Sequence, residues 1–185
     1  MNKIGGADIK LYNLTKIPDT ILLPVLADAG KLVGSRTAKV IVRVAQGRVN
    51  GCRGYTNNSS AVSEWFLLPP HKQKNKSGKL KMRPVRTDGG FIGILVPDTS
   101  RYNSNHPTDA AMSIFRVACH EWQHIKQFQK DTMPYWNREL WRKNYLNRPW
   151  EQDAIKAASR ESRRISKSDS GQDHILDLAL HYESK

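Results

Sequence analysis

The chain has few cysteines and no long hydrophobic run, and these two absences exclude several classes of protein. Its 185 residues include only two cysteines, Cys52 and Cys119, which are too far apart to form a C-x-x-C motif. We therefore expect free thiols in a reducing compartment rather than a disulfide scaffold. The most apolar early segment, Ile21–Val33, contains a proline and two charged residues, so it is too short and too polar to span a membrane.

The start of the sequence does not predict a secretory signal. Residues 1–14 have neither the apolar stretch nor the small-residue cleavage site of such a signal. We therefore expect a cytoplasmic protein, and the sequence leaves a viral or mobile-element origin open. The length and the mean hydropathy of −0.62 are typical of one soluble domain, which we assign to residues 1–185.

Negative charge is scarce, and the formal net charge at pH 7 is +13. Between Lys72 and Arg86 the sequence has lysines and arginines but no acidic residue, and a second basic group follows later in the chain. Such patches attract polyanions. They predict either a solvated surface or an acidic partner, which would be a nucleic acid, an anionic surface or an acidic substrate. The second group consists of Arg160, Arg163, Arg164 and Lys167.

An H-E-x-x-H motif, formed by His120, Glu121 and His124, lies in a segment with helical periodicity. From Asp109 to Lys130, apolar residues recur at steps of three and four, which predicts a helix with one buried face. Residues four apart on a helix point the same way, so both imidazoles can bind one zinc ion while Glu121 reaches its water molecule. The motif therefore predicts metal-assisted hydrolysis.

A catalytic zinc site of this kind needs a third protein ligand. A metzincin would have glycine and histidine where this chain has Gln127 and Lys130, so that class is excluded. Glu151 is the best placed carboxylate, because Pro149 favours a helix start and Glu151 then falls in the first turn, towards the packed side. Other candidates for the third ligand are Asp153, His174 and His106.

A motif of this kind followed by a glutamate on a later helix resembles the gluzincin zinc metallopeptidases, and the short chain is most similar to the single-domain minigluzincins. The resemblance covers the layout of Phe91–Ile165, and specific residues match in the two short motifs. It implies that His120, His124 and Glu151 bind Zn²⁺ and that Glu121 is the general base for peptide-bond hydrolysis. It also implies a residue that steadies the oxyanion and a polar residue that orients a zinc-bound histidine. Candidates for the first are Tyr135, Tyr145, His174 and Tyr182, and the candidate for the second is Asp153.

Three other interpretations remain open. A nucleic-acid-associated protease that resembles SprT-like proteins would use His174 in place of Glu151. A basic binding or structural protein would carry a zinc site that it does not use in catalysis. A regulatory peptidase that resembles the ImmA-like group would cut a single repressor. The principal prediction is a zinc metallopeptidase with a peptide or protein substrate, no membrane span and a polyanion surface at Lys72–Arg86.

The order of elements is a helix, several strands and then helices, which predicts an α+β fold. We expect a zincin-like plan, in which a small mixed sheet packs against the motif helix and a second helix carries the third ligand. In such folds a sheet edge near the motif helix can hold an extended substrate, and Phe91–Val96 or a neighbouring strand is the candidate. The remaining predicted elements are one or two short helices at Pro18–Leu32, strands at Ala38–Ala45, Ala61–Leu68 and Lys79–Arg86, and a last helix at Gln172–Tyr182.

Overall fold

The computed structural model describes residues 3–4, 7–34, 39–47, 52–57, 61–63, 67, 84–87, 89–97, 107–130 and 144–183. These residues form a small α+β domain with a mixed sheet, as predicted. The strands are β1 (Lys3–Ile4), β2 (Ala7–Leu14), β3 (Lys39–Gly47), β4 (Arg53–Asn57), β5 (Ala61–Ser63), β6 (Pro84–Arg86) and β7 (Phe91–Pro97). The helices are α1 (Asp19–Val33), α2 (Pro107–Gln129), α3 (Pro149–Ile165) and α4 (Asp169–Glu183), and a 3-10 turn covers Tyr145–Asn147.

The main sheet has the strand order β1-β2-β3-β7-β4. Strands β2, β3 and β7 are parallel to one another, whereas β1 and β4 pair antiparallel with their neighbours. We expected Phe91–Val96 or a neighbouring strand to provide the sheet edge, and Phe91–Val96 is excluded because β7 is paired on both sides. Its neighbour β4 is the last of the described strands in this sheet, and both β4 and β7 contact α2.

The core lies between the sheet and the helices. Alternate residues of β3 point to opposite faces of the sheet, as strand geometry requires. Val40, Val42 and Val44 therefore join the large cluster with the helices, while Ile41 packs with Phe91 in a smaller cluster on the other face. Burial of these apolar side chains on both faces explains why the Val- and Ile-rich segments form the central parallel strands.

Of the one or two short helices predicted at Pro18–Leu32, the structure has one, α1, and Pro24 lies inside it. Its buried residues Leu22 and Leu26 on either side of Pro24 hold the helix against the core. Helix α1 ends at Gly34, whose φ of 72° is in the left-handed region that glycine accepts readily.

Several other predicted elements need adjustment. Strand β2 was not predicted, α2 begins at Pro107, and α4 begins at Asp169. Of the predicted strand Lys79–Arg86, only β6 belongs to the described part of the chain. Most of the proposed polyanion surface at Lys72–Arg86 and residues 131–143 lie outside the described residues. No helix in the described ranges is long and apolar enough to cross a bilayer.

Candidate metal centre

Helix α2 is fixed in rotation by its apolar side, and this orientation presents the motif residues to α3. The indole Nε1 of Trp122 donates a 3.0 Å hydrogen bond to the Leu26 carbonyl of α1. Near the end of α2, Lys126 donates a 2.6 Å hydrogen bond to the Val33 carbonyl at the end of α1. With this side packed on α1 and the sheet, His120 and His124 lie one helical turn apart on the side that faces α3.

His120, His124 and Glu151 converge and are close enough to bind a metal ion. The two Nε2 atoms are 3.1 Å apart, and Glu151 Oε2 is 3.3 Å from that of His120 and 3.2 Å from that of His124. Ligand atoms of a tetrahedral zinc site are expected about 3.3 Å from one another, since each Zn–N or Zn–O bond is about 2.0–2.1 Å long. The three donor atoms therefore already have the spacing that such a site requires.

The three side chains of the cluster are largely shielded from solvent, and hydrogen bonds among them shift the pKa values of Glu151 and His124. Burial would raise the pKa of Glu151, but hydrogen bonds from His120, His124 and Tyr145 outweigh it and hold the pKa well below its usual range. Burial likewise would lower the pKa of His124, but hydrogen bonds to Glu151 and Gln127 raise it above its ordinary value. Protons and a cation thus compete for the same buried donor atoms, as is general for metal sites.

The orientation of His124 depends on Gln127, which sequence reasoning did not identify. The Nδ1 atom of His124 lies 2.8 Å from Gln127 Oε1. The amide of Gln127 in turn donates to the Trp150 carbonyl (3.0 Å) and to Asp153 Oδ2 (2.9 Å), which fixes its direction. Because an amide oxygen can only accept, Nδ1 carries the hydrogen and neutral His124 keeps its Nε2 lone pair for a cation.

Asp153 was predicted to orient a zinc-bound histidine, but in the structure Gln127 lies between Asp153 and His124. Its Oδ2 accepts a hydrogen bond from Gln123 (2.6 Å) as well as from Gln127. Asp153 thus reaches His124 only through the amide of Gln127. The spacing of Gln127, three residues after His124 on the same helix, is the sequence signal that could have revealed it.

Glu121 is buried on the opposite side of the cluster from this network, against β4. The Thr56 hydroxyl donates its hydrogen to the Glu121 carboxylate, and the hydroxyl oxygen also lies 3.3 Å from the Glu121 backbone carbonyl. Gly54 also borders the carboxylate so closely that a Cβ atom there would overlap it. Burial raises the pKa of Glu121, although the Thr56 hydroxyl and the two histidines oppose the shift. Neither Gly54 nor Thr56 was identified from the sequence.

A cavity of about 400 Å³ opens beside the cluster and is bordered by His120, Glu121, Tyr145 and Gly54. The Tyr145 hydroxyl lies 3.4 Å from His120 Nε2. Burial and the negative charge of Glu151 raise the pKa of Tyr145 far above its ordinary value, so the phenol stays protonated and can donate a hydrogen bond. A carbonyl held in this cavity would therefore meet the Tyr145 hydroxyl, the buried Glu121 carboxylate and His120.

The other predicted ligands and oxyanion residues are elsewhere. His174 lies on α4, where its Nδ1 is 2.7 Å from Asp28 Oδ2 of α1. Tyr182 is also on α4 and packs against the large core. His106 and Tyr135 are outside the described residues. Of the residues named as oxyanion candidates, Tyr145 is the one that the structure brings to the cluster.

The two cysteines are not part of the His120, His124 and Glu151 cluster. Cys119 is buried in the large core, and Cys52 borders the cavity. Both thiols are free. Burial raises the pKa of Cys52 to about 11, partly offset by a hydrogen bond to Ser113, so this thiol is protonated near neutral pH.

Together, the fold and the site define a small α+β domain with a buried His-His-Glu cluster able to bind a metal ion. No family model, curated protein or solved structure matches the chain.

Proposed function

We propose that the chain is a zinc-dependent metallopeptidase with a gluzincin-like site. One observation carries this proposal: three donor atoms converge with the mutual spacing of zinc ligands, and Glu121 borders the same cavity as His120. Two imidazole nitrogens and one carboxylate oxygen form a donor set used by catalytic zinc, and three protein ligands leave a position for water.

The roles of the residues follow from their positions. A zinc ion bound by His120, His124 and Glu151 would lower the pKa of a water molecule and polarise a substrate carbonyl. Glu121 accepts the proton of the attacking water and passes it to the leaving amine. Thr56 and Gly54 hold the Glu121 carboxylate in place, and the Tyr145 hydroxyl donates a hydrogen bond to the substrate oxygen as it gains negative charge.

The position of β4 supports a peptide as the substrate. Among the described strands it is the last of the main sheet, and Arg53 and Gly54 border the cavity. An extended peptide can add to such a strand through main-chain hydrogen bonds and pass beside the metal ligands. A scissile carbonyl would then lie between Glu121 and Tyr145.

The deciding experiment compares zinc content and peptide hydrolysis in two carboxylate-to-amide variants of α2. Glu121→Gln should keep one zinc per chain and lose turnover by about 10²–10⁴-fold, the usual contribution of a general base. Asp109→Asn is the matched control, because Asp109 is exposed in the first turn of the same helix and should leave both quantities unchanged. Zinc is measured by elemental analysis, and hydrolysis by mass spectrometry on a proteome-derived peptide library.

Two results would contradict the proposal. If Glu121→Gln retains full turnover, Glu121 is not the base. The second result is that zinc-loaded wild-type protein cleaves neither a library peptide nor a protein partner co-purified with it. The cluster would then be a metal site without peptidase activity, as in the non-catalytic binding protein considered above.

A further inference from the structure

A second cavity, of about 610 Å³, lies between α2 and α3 next to the one at the metal centre. Arg116 and Ser159 belong to the walls of both cavities. Arg116 precedes His120 by one helical turn on α2, while Ser159 lies two turns beyond Glu151 on α3. The two cavities therefore form one groove, which runs from the metal ligands along both helices.

The far part of this groove is basic and rich in hydroxyl groups. Its cations are Arg116, Arg163 and Lys167, all exposed to solvent, and its lining includes three serines. Among the described residues that line this second cavity there is no acidic side chain. Hydroxyl and cationic groups without a nearby carboxylate are suited to bind anionic oxygens.

The structure divides the basic group of α3 into two pairs with different surroundings. Arg160 and Arg164 both bind the buried carboxylate of Glu161, at 2.6 Å and 2.9 Å. Arg163 and Lys167 instead line the groove, and within the described part of the chain they take part in no ion pair. Their charges are thus available to a ligand, whereas those of Arg160 and Arg164 are partly compensated.

We propose that this groove binds an acidic segment of the peptide substrate, so that the enzyme selects sequences with Asp or Glu on one side of the scissile bond. The inference rests on the proposed peptidase function and names its substrate class. Because a helix rises 1.5 Å per residue, Arg116 lies about 6 Å from His120 along α2, and Arg163 about 18 Å from Glu151 along α3. At about 3.3 Å per extended residue, the acidic positions fall roughly two and five residues from the cleaved bond.

The composition of the groove favours a peptide over a nucleic acid. The described residues that line the second cavity include no aromatic side chain, although single-stranded nucleic acids are usually bound by stacking on such side chains. The groove also leads directly to the cavity that holds Glu121 and Tyr145. A chain with carboxylate side chains can follow it and reach the reactive groups.

A binding experiment tests this inference separately from catalysis. Zinc-loaded Glu121→Gln protein is titrated into a fluorescein-labelled dodecapeptide that carries two glutamates, and into the same peptide with two glutamines, with anisotropy as the readout. We expect the Glu peptide to bind about tenfold tighter or more at low salt, since charge-assisted contacts are each stronger than neutral ones. Adding Arg163→Gln and Lys167→Gln should reduce the difference to about twofold. Lys156→Gln is the matched control, because Lys156 is an exposed cation of α3 that does not line the groove.

The outcomes separate the two proposals. Cleavage of library peptides without enrichment of Asp or Glu, together with equal binding of the two dodecapeptides, would overturn the groove inference and leave the peptidase intact. Selective binding that depends on Arg163 and Lys167, without any cleavage, would support the groove and overturn the peptidase. Equal or tighter binding of a single-stranded oligonucleotide with the same number of charges, lost in the same double variant, would show a general polyanion surface and overturn the acidic-peptide assignment.

Discussion

The two sides of helix α2 are both buried but differ completely in chemistry. The side that packs on the sheet and α1 is apolar, and its fully buried residues include Ala111, Ile114, Phe115, Ala118, Trp122 and Ile125. The side that faces α3 and β4 carries four buried polar residues, Glu121, Gln123, His124 and Gln127. Burial of polar groups costs free energy unless each group has a partner.

The partners of these polar groups show what the second side is organised to do. Glu121 binds Thr56, Gln123 and Gln127 bind Asp153, and His124 meets Glu151. Apolar residues of similar size would stabilise a helix pair at least as well as such a network. We therefore assign folding stability mainly to the apolar side of α2 and ligand binding to the polar side, and the two assignments can be tested separately.

The largest effect is expected from loss of a metal ligand on the polar side. Glu151→Ala removes one of three donor atoms. Loss of an outer hydrogen-bond partner lowers metal affinity by roughly 10–100-fold, and we expect zinc affinity to fall by well over that factor here. The rise in melting temperature on addition of zinc should disappear with it. His174→Ala is the control, because His174 contacts Asp28 away from the cluster and should retain full zinc content. If His174→Ala lost zinc and Glu151→Ala kept it, the third ligand would be His174 and not Glu151.

A substitution on the apolar side of α2 should lower folding stability and leave zinc binding unchanged. Trp122 is fully buried, and its ring packs directly on Gly30 of α1. Trp122→Ala should lower the free energy of unfolding by about 3–5 kcal/mol, because it leaves a large cavity and removes the hydrogen bond to Leu26. Chemical denaturation measures this change, and the zinc stoichiometry of the folded variant should stay at one. Folded Trp122→Ala without zinc would show that the two sides of α2 are strongly coupled.

The sequence predicts the elements whose signals are local. Helix α3 begins at Pro149 as expected, because proline fits the first turn of a helix. The i, i+4 spacing of the two histidines and the helical pattern of α3 were enough to predict that Glu151 lies beside them. Strand β2 was missed because its pairing with β3 determines its conformation, and strand propensity depends strongly on such context.

The residues around Glu121 come from distant parts of the chain, so local sequence patterns could not predict them. Thr56 and Glu121 are 65 positions apart in sequence, and their hydrogen bond exists because β4, the last of the described strands in the sheet, contacts α2. No local pattern marks Thr56 or Gly54 as neighbours of a carboxylate. Gln127 is different, because its spacing from His124 is local and its role could have been inferred from helix geometry alone.

The smallest effect concerns Gln127 and tests how finely the polar side is organised. Gln127→Met keeps the length of the side chain but removes the acceptor for His124 Nδ1–H, which frees the ring to turn and to exchange tautomers. We expect zinc affinity to fall by about 10–100-fold, the usual result of losing such a partner. Competition with a chelating dye measures the affinity.

Gln123→Met provides the matched control for this prediction. Gln123 shares the Asp153 partner of Gln127 and lies on the same helix, but its side-chain amide donates to Asp153 and not to a histidine. Its replacement should change zinc affinity by less than about twofold, because the outer partner of His124 remains in place. Equal losses in the two variants would mean that Asp153 organises the whole interface between α2 and α3 and that the orientation of His124 has no separate role. A loss confined to Gln127→Met would identify the single hydrogen bond to Nδ1 as the contact that prepares His124 for a metal ion.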